Sequence, residues 1–308
     1  MPENHFHPEH EPSEPTCLRS SRLAVEIAAP GIPLSRCRFD LNGFVTQVTL
    51  DGTHTFCVPE SYLVGYGTQG IGICNEFTHP TPIGYDEARI GETFPKLGIG
   101  LLKRQDEGGF SVFAPQEVAA IFPVTLTSSA DQARYVVEPL DCRGYAVREE
   151  KILRVHENQL TIHYQLENVG SRPVLLHEYV HNFIGIDHQP IGPDYVLSLP
   201  YPIRLNANTH FKEPDLVKIE GNMVGFTRTP KPALDFYCQP QGAVKTEQAQ
   251  WELRNLASGA GMREFVDFAP HYVAVWGMEH VISAEIFVEV NLQPGEKQAW
   301  SRCFEFFD

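Results

Sequence analysis

Residues 175–188, LLHEYVHNFIGIDH, contain HEYVH, which has the residue types and spacing of a zinc-peptidase signature. On an α-helix, His177 and His181 would lie one turn apart and share a zinc ion, with Glu178 as the general base. Further possible ligands lie close by or later in the chain: Asp187, His188 and His210. Whether these side chains can meet at one metal depends on the backbone between the two histidines.

The residues around HEYVH favour a strand. The segment follows the turn-forming sequence NVGSRP, is rich in Val, Ile, Tyr and Phe, and ends at Gly185. In a strand, residues four apart share a face, but a rise of roughly 3.3 Å per residue separates their Cα atoms by about 13 Å. Two imidazoles that far apart cannot both bind one zinc at about 2 Å. The longer peptidase motif also needs a glycine where Ile184 stands. A zinc peptidase therefore stays only as an alternative, and no metal is expected.

The extended interpretation divides the side chains of this strand between two faces. One face carries His177, Tyr179, His181 and Phe183, and the other carries Leu176, Glu178, Val180, Asn182 and Ile184. A polar and aromatic face with two histidines is either a solvated surface or the lining of a ligand site. The strand by itself leaves both open.

The same alternation of apolar and polar residues recurs along the chain. It is found in RCRFDLNGFVTQVTLDGTHTFCVPE, around 144–186, and again in 271–307. Turn-forming pairs interrupt these runs: Asn42-Gly43, Asp51-Gly52, Glu157-Asn158 and Pro294-Gly295. Many short strands and the absence of a strand-helix-strand rhythm predict an all-β protein, most simply a large antiparallel sandwich.

Domain organisation follows from a change of composition near residue 22. Residues 1–21 are rich in Pro, Glu and His without an apolar period, which is typical of a disordered tail. After this tail we find no linker-like segment and no repeat of fixed period. Residues 22–308 are therefore predicted to form a single β-sandwich domain.

The formal net charge of −15 argues against nucleic acid or an anionic membrane as the main partner, because both attract clustered Lys and Arg. A neutral or cationic ligand is favoured, because the negative charge of the protein does not repel it. The first residues lack the basic start and apolar core of a signal peptide, and no run is apolar enough to span a bilayer. We therefore expect a soluble, cytoplasmic protein. Seven cysteines without a CxxC pair favour reduced thiols over a disulfide framework or a cysteine zinc site.

Several segments, in this order, resemble the galactose mutarotase-like, or aldose 1-epimerase-like, proteins over most of residues 35–308. They are GICNEF, FPKLGIGLL, GYAVREEKILRVHENQLTIHYQLENVG, EYVHNFIG and VISAEIFVEVNLQPGEKQAW. The resemblance implies a galactose mutarotase-like β-supersandwich, which agrees with the alternation. It also implies interconversion of sugar anomers without a metal or organic cofactor, and a small-molecule sugar or sugar derivative as the partner.

Two residues take the catalytic roles if the resemblance holds. The segment VHNFI is similar to the family's Asn-His-Thr-Tyr-Phe-like strand and aligns His181 with its histidine, while VISAE before NLQPGE aligns Glu285 with its carboxylate. Anomer exchange needs a base for the proton of the C1 hydroxyl and an acid for the ring oxygen. The resemblance assigns Glu285 as base and His181 as acid, with the roles reversed in the return half-reaction.

The chain departs from the family pattern at two positions. Active members carry an Arg in a Gly-Arg-Tyr-Ala-Asn-Arg-like segment and a second His in a Leu-His-Gly segment; here GIGICNEF keeps Asn75 without the Arg, and Lys96 or Pro95 stands at the histidine. The candidates for binding the substrate are Asn75, Lys96, Arg104, His188 and Asp235. Lys96, Lys103 and Arg104 would suit a phosphate or carboxylate on the sugar.

The sequence leaves two other functions open. A sugar-binding or regulatory sandwich could keep the ligand site without the chemistry, and the missing Arg and His favour it. The zinc peptidase is the third possibility. Neither the identity of the sugar nor the oligomeric state can be inferred from these residues.

Overall fold

The computed structural model describes residues 14–30, 37–63, 65–78, 81–242, 248 and 250–308. This part of the chain consists of strands and loops, and its single helical element is a turn of 3-10 helix at Ile186–His188. Neighbouring strands pair antiparallel in both large sheets. The prediction of an all-β antiparallel fold is confirmed. The described residues contain no helix that is long and apolar enough to cross a membrane.

The first large sheet is formed by β1 (Thr16–Arg19), β2 (Leu23–Ile27), β3 (Val45–Leu50), β4 (His54–Thr55), β5 (Gly72–Thr78), β13 (Val174–Phe183), β16 (His210–Phe211), β19 (Phe236–Cys238), β23 (Tyr272–Gly277) and β24 (Ile282–Leu292). The strand order is β1-β2-β3-β5-β13-β24-β23-β19-β16, with β4 beside β3. The predicted HEYVH strand, β13, therefore lies near the middle of this sheet, between β5 and β24.

The second large sheet is formed by β9 (Val124–Ser128), β10 (Gln132–Val137), β11 (Val147–His156), β12 (Gln159–Asn168), β14 (Tyr195–Ser198), β17 (Val217–Glu220), β18 (Met223–Phe226), β21 (Trp251–Asn255), β22 (Gly261–Val266) and β25 (Lys297–Phe307). Its order is β17-β18-β14-β21-β22-β25-β12-β11-β10-β9. Two smaller sheets consist of β6 (Thr93–Lys96), β7 (Gly100–Lys103) and β8 (Glu117–Ile121), and of β15 (Arg204–Leu205) and β20 (Pro240–Gln241).

The two large sheets pack face to face. Their inner faces share one continuous apolar core, to which β13 contributes Val180, β24 contributes Val288 and β25 contributes Trp300. On the second sheet the Tyr164 and Trp300 rings stack with centroids 5.3 Å apart. Because side chains alternate along each strand, the residues between these core positions point to the opposite face. The outer face of the first sheet is where the candidate site lies.

An ion triad is buried between the sheets. The Arg302 guanidinium donates to Glu178 at 2.7 Å and to Glu264 at 2.8 Å, and all three side chains are fully buried. The indole N–H groups of Trp300 and Trp251 donate to Glu178 and Glu264 respectively. Burial raises the pKa of both carboxyl groups, and the charge of Arg302 opposes that rise. Glu178 is therefore a core residue that joins the two sheets.

Hairpin turns occur at two of the four predicted turn positions, and a turn between the two large sheets occurs at a third. Asp51 and Gly52 have φ of 50° and 68°, and the Thr53 N–H donates to the Leu50 carbonyl across this turn. These two positive φ angles are those of a type I′ turn. Glu157-Asn158 likewise connects the paired strands β11 and β12, whereas Pro294-Gly295 turns the chain from β24 in the first large sheet to β25 in the second. Asn42-Gly43 differs, because residues 37–44 form an irregular segment and not a hairpin.

The predicted boundary of the tail at residue 21 is too late. Thr16–Arg19 forms β1, which pairs along its length with β2 and buries Leu18 in the core. Alternation over four residues was too short to distinguish this strand from a tail. Residues 1–13 lie outside the described part of the chain, and the assignment of the rest to one domain stays a prediction.

Candidate functional site

The HEYVH segment is extended. It forms the middle of β13, whose ten residues run from Val174 to Phe183. The Cα atoms of His177 and His181 are therefore about 13 Å apart. Glu178 points into the core, where it accepts from Arg302 and Trp300. The helical zinc site that the motif suggests is therefore not formed. The segment is a strand, as the alternation of its residues predicted, and the two histidines are too far apart to share one ion.

His181 and Glu285 lie opposite each other on neighbouring strands. Tyr179 pairs with Phe287, and Ile184 forms a bridge with Ile282, so the register places position 181 across from position 285. The His181 Nε2 and Glu285 Oε1 atoms are 3.2 Å apart. The two residues are on the same outer face of the first sheet, although more than a hundred residues separate them in the sequence.

The His181 imidazole is enclosed by aromatic rings. It stacks on Phe183 with centroids 3.9 Å apart and nearly parallel planes, and the edges of Phe39 and Trp276 lie at 6.0 and 5.3 Å. Burial lowers the pKa of His181 well below its usual value, and the positive charge of Arg38 acts in the same direction. At neutral pH this imidazole is therefore uncharged. Its Nδ1 atom is buried without a hydrogen-bond partner among the described residues.

Glu285 is shifted in the opposite direction. Burial raises the pKa of its carboxyl group to about 7, and this rise is opposed by Arg38 and by the Ser283 hydroxyl, which donates to Oε1 at 3.0 Å. His181 is neutral, so the proton that the pair can exchange is the carboxyl proton of Glu285. Glu285 holds this proton below about pH 7 and loses it above. A neutral acid next to a neutral base, each within reach of the other, is the arrangement that proton-transfer chemistry requires.

Arg38 provides a positive charge close to the pair. Its guanidinium donates to Glu76 Oε2 at 2.7 Å, to the Tyr179 hydroxyl at 2.7 Å and to the Thr68 hydroxyl at 3.1 Å. Tyr179 in turn donates to Glu76 at 2.5 Å. Although burial acts to raise the pKa of Glu76, Arg38 and Lys96 hold it below its usual value. The family arginine that the sequence lacks on β5 is thus matched in charge by an arginine from the irregular segment 37–44.

The predicted binding residues are distributed unevenly. Lys96 is buried beside the site, where its Nζ donates to the Phe77 carbonyl at 2.5 Å and lies 3.7 Å from Glu76 Oε1. Asn75 is on the other face of β5, where its Oδ1 accepts from Lys151 Nζ inside the sandwich. The assignment of Asn75 to the site is therefore wrong, because alternation turns its neighbour Glu76 to the outer face instead.

Of the remaining candidates, Arg104 is bound to backbone elsewhere, His188 is exposed, and Asp235 lies at the sheet edge. Arg104 donates to the backbone carbonyls of Tyr85, Ala88 and Asp106 and makes no contact with the pair, so its part in binding stays a prediction. His188 is exposed in the 3-10 turn after β13, and no contact joins its side chain to the pair. Asp235 pairs with Lys212 at the edge of the first sheet, close to His210.

Other side chains on this face complete the site. Beyond the predicted residues, this face carries Arg38, Glu76, Tyr179, Tyr237, Tyr272, Trp276, Ser283 and Phe287. The alternation of β13 and β24 already put Tyr179, Ser283 and Phe287 on the faces of His181 and Glu285. Nothing in the sequence indicated that the other residues belong to the site, because only the strand order brings β5, β19 and β23 beside these two strands.

Access to the pair is narrow. The side chains of His181 and Glu285 are 6% and 7% exposed, while Tyr237, Tyr272 and Trp276 nearby are partly exposed. A cavity of only about 10 Å³ is lined by Lys96 and Phe77, among others, and not by the pair itself. A ligand can therefore reach both atoms only when the contact between Nε2 and Oε1 opens. Partly exposed Tyr and Trp rings present an apolar face together with a polar edge to a ligand.

Comparison with solved structures identifies the fold as galactose mutarotase-like. The chain is similar to a galactose mutarotase-like protein from Lactobacillus casei, with TM-score 0.57, 14% identity, and coverage of 95% of this chain and 100% of the other. A galactose mutarotase related enzyme from Lactobacillus acidophilus gives TM-score 0.58, 11% identity, and coverage of 96% and 97%. An aldose epimerase homologue from C. elegans gives 0.55, 11%, and coverage of 95% and 98%. No protein-family model and no curated protein sequence matches the chain.

These similarities extend over nearly the whole chain at identities of 11–14%, so they establish the fold and not the activity. The fold that the sequence resemblance implied is confirmed. Function has to be argued from the site.

Proposed function

We propose that this protein is a cofactor-independent sugar epimerase that interconverts the anomers of an aldose through His181 and Glu285. The observation that supports this most is the 3.2 Å contact between a neutral imidazole and a carboxyl group of pKa about 7 on adjacent strands. The anomeric hydroxyl and the ring oxygen are bonded to the same carbon. The acid and base that serve them must therefore come from neighbouring positions, and strands about 4.8 Å apart supply such positions.

The proton balance fixes the order of transfers in the proposed reaction. In the neutral form that burial favours, and with the ring proton on Nδ1, His181 Nε2 takes the proton of the C1 hydroxyl, the bond between C1 and the ring oxygen breaks, and Glu285 gives its proton to that oxygen. The product is the open-chain aldehyde. After rotation about the bond from C1 to C2, Glu285 takes the proton back as the oxygen attacks C1, and His181 returns its proton to the former carbonyl oxygen. The pair ends as it began, and no cofactor enters.

The roles in the first half-reaction are thus the reverse of those that the sequence resemblance assigned. The reason is electrostatic: burial and Arg38 disfavour a charged imidazole, so the proton starts on Glu285. The assignment with Glu285 as base and His181 as acid describes the return half-reaction. Arg38, Glu76 and Tyr179 hold the neighbouring part of the face in place through their mutual hydrogen bonds.

The first test is a polarimetric screen of freshly dissolved aldoses, neutral and phosphorylated. We expect the wild-type protein to accelerate the approach to anomeric equilibrium for at least one sugar. Phosphorylated sugars belong in the panel because Lys96 is a buried cation beside the site, 3.7 Å from Glu76. Rates equal to those in buffer for every sugar would reject the epimerase.

The pH dependence provides a second prediction. The reaction needs the pair to hold one proton, and a group whose folded pKa is raised to about 7 holds that proton below pH 7 and loses it above. We therefore expect kcat/KM, corrected for catalysis by buffer, to fall about tenfold per unit above pH 7. The profile is measured from pH 5.5 to 8.5. A rate that rises through pH 7 would mean that the ionised carboxylate alone is the active form.

One observation favours a second candidate, a sugar-binding protein without catalysis. His181 and Glu285 contact each other directly and are nearly inaccessible, so a sugar could rest on Tyr237, Tyr272 and Trp276 without separating them. Calorimetric titration distinguishes the two functions. A sugar that binds in the calorimeter but equilibrates no faster than in buffer would establish the binding protein.

A further inference from the structure

We propose that His177, His271 and Glu289 form a binding site for a divalent transition-metal ion, best suited to Zn²⁺, at the open end of the same face. One ligand atom from each residue lies within 4.8 Å of the others. His177 Nε2 and His271 Nδ1 are each 4.0 Å from Glu289 Oε2. The two imidazole centroids are 4.6 Å apart. This proposal is independent of the proposed epimerase function.

The backbone fixes the positions of the three residues. His177 on β13 and Glu289 on β24 are cross-strand partners in the register of the sheet. His271 directly precedes β23, and its backbone N–H donates to the Phe287 carbonyl on β24 at 2.7 Å. Sites whose ligands stand on strands hold their geometry better than sites on loops. Three different chain segments thus bring their side chains to one point.

The chemistry of the three groups selects the class of ion. Two imidazoles and one carboxylate are the ligands of catalytic zinc sites that keep one position for water, and imidazole also binds Ni²⁺ and Cu²⁺. Calcium and magnesium prefer sets made of oxygen only. Zinc binds each ligand atom at about 2.0–2.2 Å, which requires shorter distances between the three ligand atoms than the 4.0–4.8 Å found here. The three side chains must therefore move about 1 Å closer together when the ion binds. The side chains of His271 and Glu289 are 42% and 48% exposed, which leaves them room to move.

The site is separate from the catalytic pair. Glu289 is four residues beyond Glu285 on β24, which corresponds to about 13 Å along the strand. A layer of stacked rings lies between them: Tyr179 on Phe287 at 4.3 Å, and Tyr272 on Phe287 at 4.0 Å. An ion at His177 therefore cannot touch His181. The histidine that begins HEYVH takes part in metal binding here, but with partners that the motif does not contain.

The test is zinc titration of the full chain in competition with a chromophoric chelator. Because the N-terminal segment has histidines at 5, 7 and 10, every protein is also made with these three changed to glutamine. We expect one Zn²⁺ per chain in the wild type and in that background. His177→Gln, His271→Gln and Glu289→Gln should each weaken binding by more than the roughly 10- to 100-fold that loss of an outer-shell partner costs. Co²⁺ should give visible bands that the same three variants lose.

Matched controls are His181→Asn on the same strand face and His163→Gln on β12, both of which should bind zinc like the wild type. Circular dichroism and the metal-free melting temperature check that each variant folds. Wild-type affinity in all three ligand variants, absence of stoichiometric zinc, or loss of zinc on removal of the N-terminal histidines would each overturn the proposal. Zinc binding that survives while anomer exchange is absent would reject only the epimerase.

Discussion

Replacing Glu285 by glutamine is expected to lower kcat/KM for anomer exchange by about 10²- to 10⁴-fold, the usual contribution of one positioned acid-base group. Glutamine keeps the shape of the side chain and can still accept from the Ser283 hydroxyl, but it cannot carry the proton that the pair exchanges with the sugar. His181→Asn should have an effect of similar size. Because the two residues act as one unit, the double variant should be hardly slower than either single variant.

Two controls separate this effect from general damage to the sheet. Glu167→Gln removes a partly exposed carboxylate on β12, and His163→Asn removes a histidine of the same strand. Both residues belong to the second large sheet and alternate with the core residues Tyr164 and Leu166, so they point away from the first sheet. Both should leave the exchange rate unchanged. If Glu285→Gln retained more than a tenth of the wild-type rate while the controls behaved normally, Glu285 would not be the acid-base residue.

Replacing Arg302 by methionine should reduce the free energy of unfolding by about 3–5 kcal/mol, the cost of leaving a buried charge without its partner. Arg302 neutralises Glu178 and Glu264 at once between the two sheets, and the three side chains have no access to water. Without the guanidinium, the effect of burial on both carboxyl groups loses its strongest opposition, and their pKa values rise further. The loss should therefore be larger at pH 8 than at pH 5, where the unpaired carboxyls can take up protons.

Urea denaturation at the two pH values measures this effect. Arg302→Lys tests the geometry, since an ammonium cannot donate to both carboxylates as the planar guanidinium does, and it should also destabilise the fold. Arg148→Met is the matched control, because Arg148 pairs with Glu138 on the surface and both side chains are about half exposed. That change should cost at most about 1 kcal/mol. A loss below 1 kcal/mol for Arg302→Met would show that the triad does not hold the sheets together.

Alternation was enough to predict most of the architecture around the site. It predicted that β13 is a strand and that Glu178 faces away from His177 and His181. It also predicted that Ser283 and Phe287 share a face with Glu285. These are local properties, because the period of two depends only on the backbone. The pairing of His181 with Glu285 is not local. It was obtained from the order of resembling segments, and the register of β13 against β24 confirms that the two residues lie together.

The residues that were missed depend on tertiary structure. Asn75 was predicted from its resemblance to a family motif. The register pairs Tyr179 with Glu76, so Glu76 lies on the face of the site, and Asn75, the residue before it on the strand, faces the core. Arg38 stands in a segment that alternates in sequence but is irregular in the structure, so the alternation does not indicate that it meets Glu76 and Tyr179. Arg104 resembled a ligand-binding cation because of its charge alone. Its contacts to three backbone carbonyls show that it holds a loop.

The central claim is that His181 and Glu285 together exchange the anomers of a sugar. Saturation-transfer NMR tests it most directly, by irradiating the H1 signal of one anomer and following the other in the presence of the protein at pH 6.5. With a sugar from the polarimetric screen, we predict transfer for the wild type and for the Glu167→Gln control, and transfer at the level of buffer for the double variant His181→Asn/Glu285→Gln. Transfer that is equally fast in the double variant would contradict the account.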